Sequence, residues 1–182
     1  MMSQENMIPI KPVWGFDDTS RIPFEAYTSD DIHKQELDKI FYNNHWCYVG
    51  LEVEIPENGD FKRTVVGERS VIMVRGKDDD IYVVENVCAH RGMRFCREKH
   101  GNAKSFTCPY HQWNYDTEGN LQGVPFRRGV KQDGQVKGGM PKDFQPADHG
   151  LTKLRVARRG GVVFASFDHD VESFEDYVGP EM

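Results

Sequence analysis

The sequence has no run of 18 apolar residues and no apolar stretch in its opening MMSQENMIPIKPVW, so it offers neither a membrane span nor a secretory leader. It also lacks the positive excess that a nucleic-acid partner would require, since its net charge is −6 and its pI is near 5.6. Cysteine is scarce, at four residues. In the soluble, cytoplasmic chain that these absences imply, thiols are reduced or bound to metal. There is no internal repeat and no low-complexity tract. At 182 residues, one domain with small appendages is expected.

Two textures divide what is present. Thr28 to Asp31 matches a capping signature, and Ile32, Leu37, Ile40 and Phe41 recur at helical spacing as far as Asn43 and Asn44, which predicts one short amphipathic helix. From Trp46 the chain turns to short β-branched and aromatic runs: Trp46 to Val49, Phe61 to Val66, Ser70 to Val74 and Ile81 to Val84. A turn is expected at Gly76 to Asp80, and another at Glu118 to Asn120 after a short run from Trp113 to Tyr115. Arg127 to Gly139, rich in Gly and Lys, reads as a surface excursion. Leu151 to Val156 and Gly161 to Phe167 read as a last hairpin, and Val171 to Tyr177 as a helical turn ending near Gly179 and Pro180. The fold class is therefore mostly β, with small strands closing as a sandwich or partial barrel.

Chemistry concentrates in two stretches, CAHRG at 88–92 and CPYHQW at 108–113. The pattern is Cys88-x-His90, then Cys108-x-x-His111. Structural zinc could use such a set, although zinc fingers usually present their cysteines and histidines as like pairs. Catalytic thiol chemistry would need one activated cysteine and leave the second Cys/His pair as coincidence. A two-iron, two-sulfide cluster uses both pairs, with two histidines replacing two cysteines on one iron, as in Rieske centres. Two ferric ions, two sulfides and two thiolates sum to zero charge, so adding an electron is less opposed than with four thiolates. The potential rises accordingly, to roughly −150 to +300 mV. Gly92, Pro109 and Gly123 suit tight loops around such a cluster, and Trp113 could shield it from water. Cys96 and Cys47 lack a partner histidine at matching spacing, and His33, His45, His100, His149 and His169 are assigned no metal role.

The sequence resembles the N-terminal Rieske domain of the large (α) subunit of aromatic-ring-hydroxylating oxygenases. The likeness runs from about Trp14 to the end, through NHWCYVG, CAHRGMRFC, FTCPYHQWNYDTEGNLQGVP, HGLTKLRVARRGGVVFASF and FEDYVG. The resemblance implies a Rieske-type antiparallel β-sandwich with a cluster-binding subdomain of two loops at about 86–125, plus a short N-terminal helix. It also implies that Cys88, His90, Cys108 and His111 are the ligands of a [2Fe-2S] cluster. Met93 and Pro109 stand where the respiratory branch has a disulfide, which excludes that branch. Gln112 follows His111 where most members have Gly, and HQWNYD resembles the salicylate- and anthranilate-hydroxylating branch.

The expected organisation is an arm and helix at 1–45, the Rieske domain at 46–168, and at 169–182 the start of a linker to an absent catalytic domain. In the family that domain holds a mononuclear Fe(II). No His-x4-His pair is present to bind one here. The implied role is one-electron transfer, with a ferredoxin or a flavin/iron-sulfur reductase as donor and the catalytic domain of a neighbouring α subunit as acceptor, in a trimeric assembly without nucleic acid or membrane. The chain alone is expected to hydroxylate nothing. A free-standing Rieske ferredoxin and a zinc-stabilised interaction module are the alternative readings.

Overall fold

The computed structural model describes residues 22–180. The first 21 residues of the expected N-terminal arm, and the Trp14 at which the family likeness begins, lie outside the described residues. A helical turn, α1 (Glu25–Thr28), precedes α2 (Asp30–Glu36), which continues as a π-helical turn at Leu37–Phe41. The cap of α2 is Ser29, whose hydroxyl oxygen accepts the Ile32 N–H at 3.4 Å. Thr28 was the expected start; its hydroxyl instead donates to the Phe24 carbonyl within α1. Leu37 is buried, and the Tyr42 ring meets Phe167 edge-on at 5.7 Å with the Arg69 guanidinium over its face, which fastens this segment to the sheets.

The sheets are built from β1 (Cys47–Leu51), β2 (Asp60–Val66), β3 (Arg69–Arg75), β4 (Ile81–Glu85), β5 (His100–Asn102), β6 (Phe106–Thr107), β7 (Asn114–Tyr115), β8 (Leu121–Gly123), β9 (Val130–Gln132), β10 (Gln135–Lys137), β11 (Arg155–Arg159) and β12 (Val162–Ser166). Every strand pair is antiparallel, in four groups ordered β4-β3-β2-β5, β1-β12-β11, β6-β7-β8 and β10-β9. The expected mostly β, antiparallel class is observed. Gly76 to Asp80 forms the β3–β4 turn, closed by the Gly76 N–H on the Asp80 carbonyl at 2.7 Å.

The run Ser70-Val71-Ile72-Met73-Val74 shows no alternation of apolar and polar residues because β3 is covered on both faces. Val71 and Met73 point into a core shared with Val49, Val83, Val163 and Ala165, which fills the space between the four-stranded sheet and β1-β12-β11. Ile72 and Val74 point the other way, into a second core that contains Cys88, Phe95, Phe106, Cys108, Trp113 and Tyr115. The arrangement is three layers deep. The middle sheet holds the sandwich on one face and the Cys/His loops on the other. A third apolar cluster joins Trp46 to Val171 and Phe174, so α3 (Phe174–Val178) packs against the strand that opens the sheets.

One buried side chain ties the first loop to the middle sheet. Asn86 is 1% exposed; its amide donates to the Ser70 hydroxyl and the Cys96 carbonyl, and its carbonyl oxygen accepts the Phe95 and Cys96 N–H groups. Removing it strands several buried polar groups at about 1–3 kcal/mol each. Asn86→Ala is expected to lower the unfolding free energy by roughly 2–4 kcal/mol. Chemical denaturation checks this, and a loss below about 0.5 kcal/mol, the level of an ordinary surface change, would contradict it.

Candidate metal centre

The two loops close in the same way. In the first, the Cys88 N–H donates to the Met93 carbonyl at 2.9 Å and the Gly92 N–H to the Cys88 carbonyl at 2.9 Å. In the second, the Cys108 N–H donates to the Trp113 carbonyl at 2.8 Å and the Gln112 N–H to the Cys108 carbonyl at 2.9 Å. Each cysteine thus anchors a turn whose fifth residue has a left-handed backbone, with φ of 70° at Gly92 and 57° at Gln112. Gln112 occupies a conformation that glycine adopts without steric cost. The first loop hangs between β4 and β5, and the second is the tip of the β6–β7 hairpin.

This shared closure brings together the four side chains singled out by spacing. Both thiols are buried, and both imidazoles are half-buried at the rim. The Cys108 thiol has the Cys88 thiol and the backbone N–H groups of Tyr110 and His111 as its neighbours. Burial pushes its thiol pKa up, and those two N–H groups act in the opposite direction. The His90 and His111 rings meet at 4.7 Å between centroids, inclined by 74°. Like therefore sits beside like, with two thiols inside and two imidazoles outside.

The imidazole plane of His90 is stacked on Trp113 at 4.7 Å and 9°. Its Nδ1 is buried and has no hydrogen-bond partner, an uncommon state for a ring nitrogen. Desolvation, then His111, then Arg91 lower the His90 pKa, which favours the neutral ring. A neutral imidazole with an orphaned nitrogen beside two buried thiols is a donor set that fits a metal cluster. Among the described residues, no three His, Cys, Asp or Glu side chains gather as a site for a single metal ion.

Three residues at the site, Tyr115, Phe144 and His149, carry no signal in the spacing. The Tyr115 hydroxyl, fully buried, lies 3.2 Å from the Cys88 sulfur and accepts the Ala89 N–H. Burial and the neighbouring Cys88 push its pKa up, so it stays a phenol that can donate to sulfur. Phe144 meets Trp113 edge-on at 5.9 Å, and His149 stacks on Phe144 at 4.5 Å. His149, assigned no metal role, thus borders a cleft next to His90. His33, His45 and His169 pair with Glu68, Tyr177 and the Lys153 carbonyl, away from the site. All four cysteines are free of disulfides; burial raises the Cys47 and Cys96 pKa values.

The comparisons with known proteins converge on this region. The family model described as the Rieske [2Fe-2S] domain matches residues 45–163. The large oxygenase component of salicylate 5-hydroxylase from Ralstonia sp. is 71% identical over 96% of this chain and 41% of its own length. The large subunit of anthranilate 1,2-dioxygenase from Burkholderia cepacia is 49% identical over 91% of this chain and 38% of its own. The chain thus spans about two fifths of the length of these relatives. A naphthalene 1,2-dioxygenase from Rhodococcus sp. with bound indole superposes at a TM-score of 0.74, with 33% identity, covering 87% of this chain and 34% of that one. A quaternary ammonium Rieske monooxygenase, for which inter-subunit electron transfer is described, superposes at 0.73 with 27% identity over 86% of this chain and 40% of that one.

The equivalence of Gly92 and Gln112 generates a paired test. A Cβ at Gly92 would meet nothing within 4 Å, so Gly92→Ala is expected to cost only backbone strain, about 1–2 kcal/mol. Gln112→Gly relieves the same strain and is expected to leave stability within about 1 kcal/mol of the parent or above it. Equal losses for the two substitutions in chemical denaturation would contradict the shared closure.

Proposed function

This chain belongs to the Rieske [2Fe-2S] family, and from that footing we propose that it passes single electrons as the electron-entry domain of an aromatic-ring-hydroxylating oxygenase large subunit, with Cys88, His90, Cys108 and His111 as ligands. The observation that carries the reading is the pairing of two buried thiols with two rim imidazoles, one of which leaves a buried Nδ1 without a partner. Cys88 and Cys108 would hold one iron, and His90 and His111 the other. When bound there, the cluster supplies one-electron reduction and re-oxidation at a potential above that of four-thiolate clusters.

The surrounding residues have definite tasks in this role. Tyr115 holds the Cys88 sulfur through its hydroxyl, and the neighbouring Tyr110 and His111 N–H groups favour the thiolate of Cys108. Trp113, 4% exposed, covers the inner face of His90 and excludes water from it. The outer edges of both imidazoles border open grooves, which gives an electron a short path to and from a partner. Residues 46–168 form the electron-transfer domain in this reading, and residues 169–182 lead away from it towards a catalytic domain.

Identity to a salicylate hydroxylase component and an anthranilate dioxygenase subunit favours an aromatic acid as substrate of the whole oxygenase and favours a large-subunit origin over a free-standing carrier. The donor would be a ferredoxin or a flavin/iron-sulfur reductase, and the acceptor a mononuclear iron in the catalytic domain of a neighbouring subunit of a trimer. No helix among the described residues is long and apolar enough to cross a membrane, and the cytoplasm is the compartment proposed.

Purified chain is expected to carry about two iron atoms and two acid-labile sulfides. One zinc per chain without iron would refute the assignment. Tyr115→Phe removes a hydrogen bond that favours the more negative, reduced site, so iron content is expected to persist while the midpoint potential falls. An unchanged potential in a redox titration would show that the hydroxyl does not act on the sulfur.

A further inference from the structure

The sequence holds one Asn-Gly step, Asn58–Gly59, and one Asp-Gly step, Asp133–Gly134. Glycine has no Cβ to shield its own backbone nitrogen, so at these two bonds that nitrogen can attack the preceding side-chain carbonyl carbon and close a succinimide ring. In an open peptide the asparaginyl step reacts first, because a neutral amide expels ammonia, whereas an ionised carboxylate must be protonated before it expels water. The fold reverses that order.

Asn58–Gly59 lies in the turn that leads into β2 and is held from several sides. Gly59 is buried; its N–H donates to the Arg75 carbonyl at 2.9 Å, and its carbonyl accepts the Ala103 N–H at 2.9 Å. The Asn58 carbonyl accepts the Asn102 side-chain amide at 3.0 Å. A Cβ at Gly59 would stand 2.9 Å from the Ala103 carbonyl oxygen, so the backbone has no room to turn. Cyclisation needs the glycine N–H to give up its proton and its nitrogen to swing onto the side chain. Here that means breaking a buried hydrogen bond.

Asp133–Gly134 is the turn of the β9–β10 ribbon. The two strands pair only with each other, and their residues and both turn residues are exposed. Gln132 faces Gln135 across the turn, with φ of 53° at Asp133 and 77° at Gly134. Asp-Gly is a preferred pair for such a primed turn, which explains why these residues stand here; their reactivity comes with them. Among the described residues, the Gly134 N–H makes no backbone hydrogen bond and Asp133 enters no ion pair. A Cβ at Gly134 would meet nothing within 4 Å. A lone two-stranded ribbon is at best marginally stable in water, so it opens locally at little cost and samples the backbone angles that ring closure needs.

We propose that Asp133 is a site of spontaneous isoaspartate formation and, once isomerised, a methyl acceptor for an S-adenosylmethionine-dependent isoaspartyl carboxyl methyltransferase, while the fold keeps Asn58 intact. The Gly134 nitrogen attacks the protonated side-chain carboxyl of Asp133. A C–N bond forms, and the proton of the nitrogen and the hydroxyl of the carboxyl leave together as water. Water then adds at the main-chain carbonyl of the succinimide and breaks its bond to the nitrogen, which routes the backbone through the side-chain carbon at unchanged mass. The extra backbone methylene breaks the pairing of Gln132 with Gln135 and frays the ribbon from its tip. The base of the ribbon stays fixed, because the Met140 N–H donates to the Arg127 carbonyl and the Arg127 guanidinium donates to the Phe144 carbonyl.

The test ages the full folded chain at physiological pH and temperature. Methyl transfer from S-adenosylmethionine by a purified isoaspartyl methyltransferase counts the isomerised sites, and digestion with mass spectrometry locates them. Acceptor capacity is expected to grow with time in the peptide that contains Asp133, while Asn58 shows none of the mass gain of deamidation. Tryptophan fluorescence is expected to hold its parent value as isoaspartate accumulates; a parallel change would contradict the fixed base. In urea-unfolded chain the order is expected to revert, with Asn58 modified first. Asp133→Glu, which would have to close a larger ring, is expected to abolish the acceptor. Asp133→Asn keeps the turn chemistry and compares like amides within one molecule: the substituted position is expected to deamidate about tenfold or more faster than Asn58 while the chain is folded. Deamidation of Asn58 at an equal or greater rate would overturn the proposal, as would methyl acceptance that survives Asp133→Glu.

Discussion

Two sulfur atoms have to sit in a dry interior while two imidazoles, only two and three residues further along the chain, stay at the rim. A loop that buried all four would strand ring nitrogens without partners, and one that exposed all four would leave the thiols wet. The repeated turn closure resolves this. Each cysteine is held by its own N–H and carbonyl, and a left-handed residue at Gly92 or Gln112 reverses the backbone so that the histidine inside the turn faces outward. The remaining tension is the orphaned His90 Nδ1, which nothing in the protein satisfies. A buried ring nitrogen left in this state is best explained by a bound group.

The rest of the fold serves this geometry. Because β3 is covered on both sides, the middle sheet is held rigidly by its sandwich partner through Val71 and Met73 and presents Ile72 and Val74 as a floor for the loops. Asn86 spans from that floor to the far end of the first loop, and Tyr115 spans from the β6–β7 hairpin to Cys88, so the first loop is braced both by the middle sheet and by the hairpin that carries the second. In the proposed electron-transfer role, rigid support of this kind would keep charge-dependent rearrangement small. Trp113 extends the support outward, since it stacks on His90 and meets Phe144 edge-on. The Arg127 guanidinium donates to the Phe144 carbonyl and so ties the start of the Gly/Lys-rich excursion to the same wall.

The four candidate ligands could be singled out in the sequence because their chemistry depends on residue type at short spacing, and the fold pairs the two imidazoles and the two thiols. The long strands β2, β3 and β4 were equally legible, since β-branched runs bounded by turn residues leave few alternatives. Strands β5 to β8 were not, apart from the stretch around Tyr115: they are two or three residues long, too short for alternation to register, and exist because the loops force neighbouring segments to pair. The Gly/Lys-rich excursion folds as the ribbon β9-β10, whose turn holds Asp133 and Gly134 at positive φ. Tyr115, Phe144 and His149 escaped because tertiary packing alone carries them to the site. The cap at Ser29 was missed by one residue, a shift decided by α1, which occupies Thr28 before α2 begins.

Ligation by two histidines, one to each loop, is the claim on which the functional reading depends, and hyperfine spectroscopy observes it without reference to turnover. The chain is grown with ¹⁵N-labelled histidine, purified with its iron, reduced by one electron and measured by electron-nuclear double resonance. Two distinct, strongly coupled imidazole nitrogens are expected, and both His90→Ala and His111→Ala are expected to abolish the paired signal. A reduced cluster with no coupled histidine nitrogen, or one whose two nitrogens survive the loss of His90, would contradict the account.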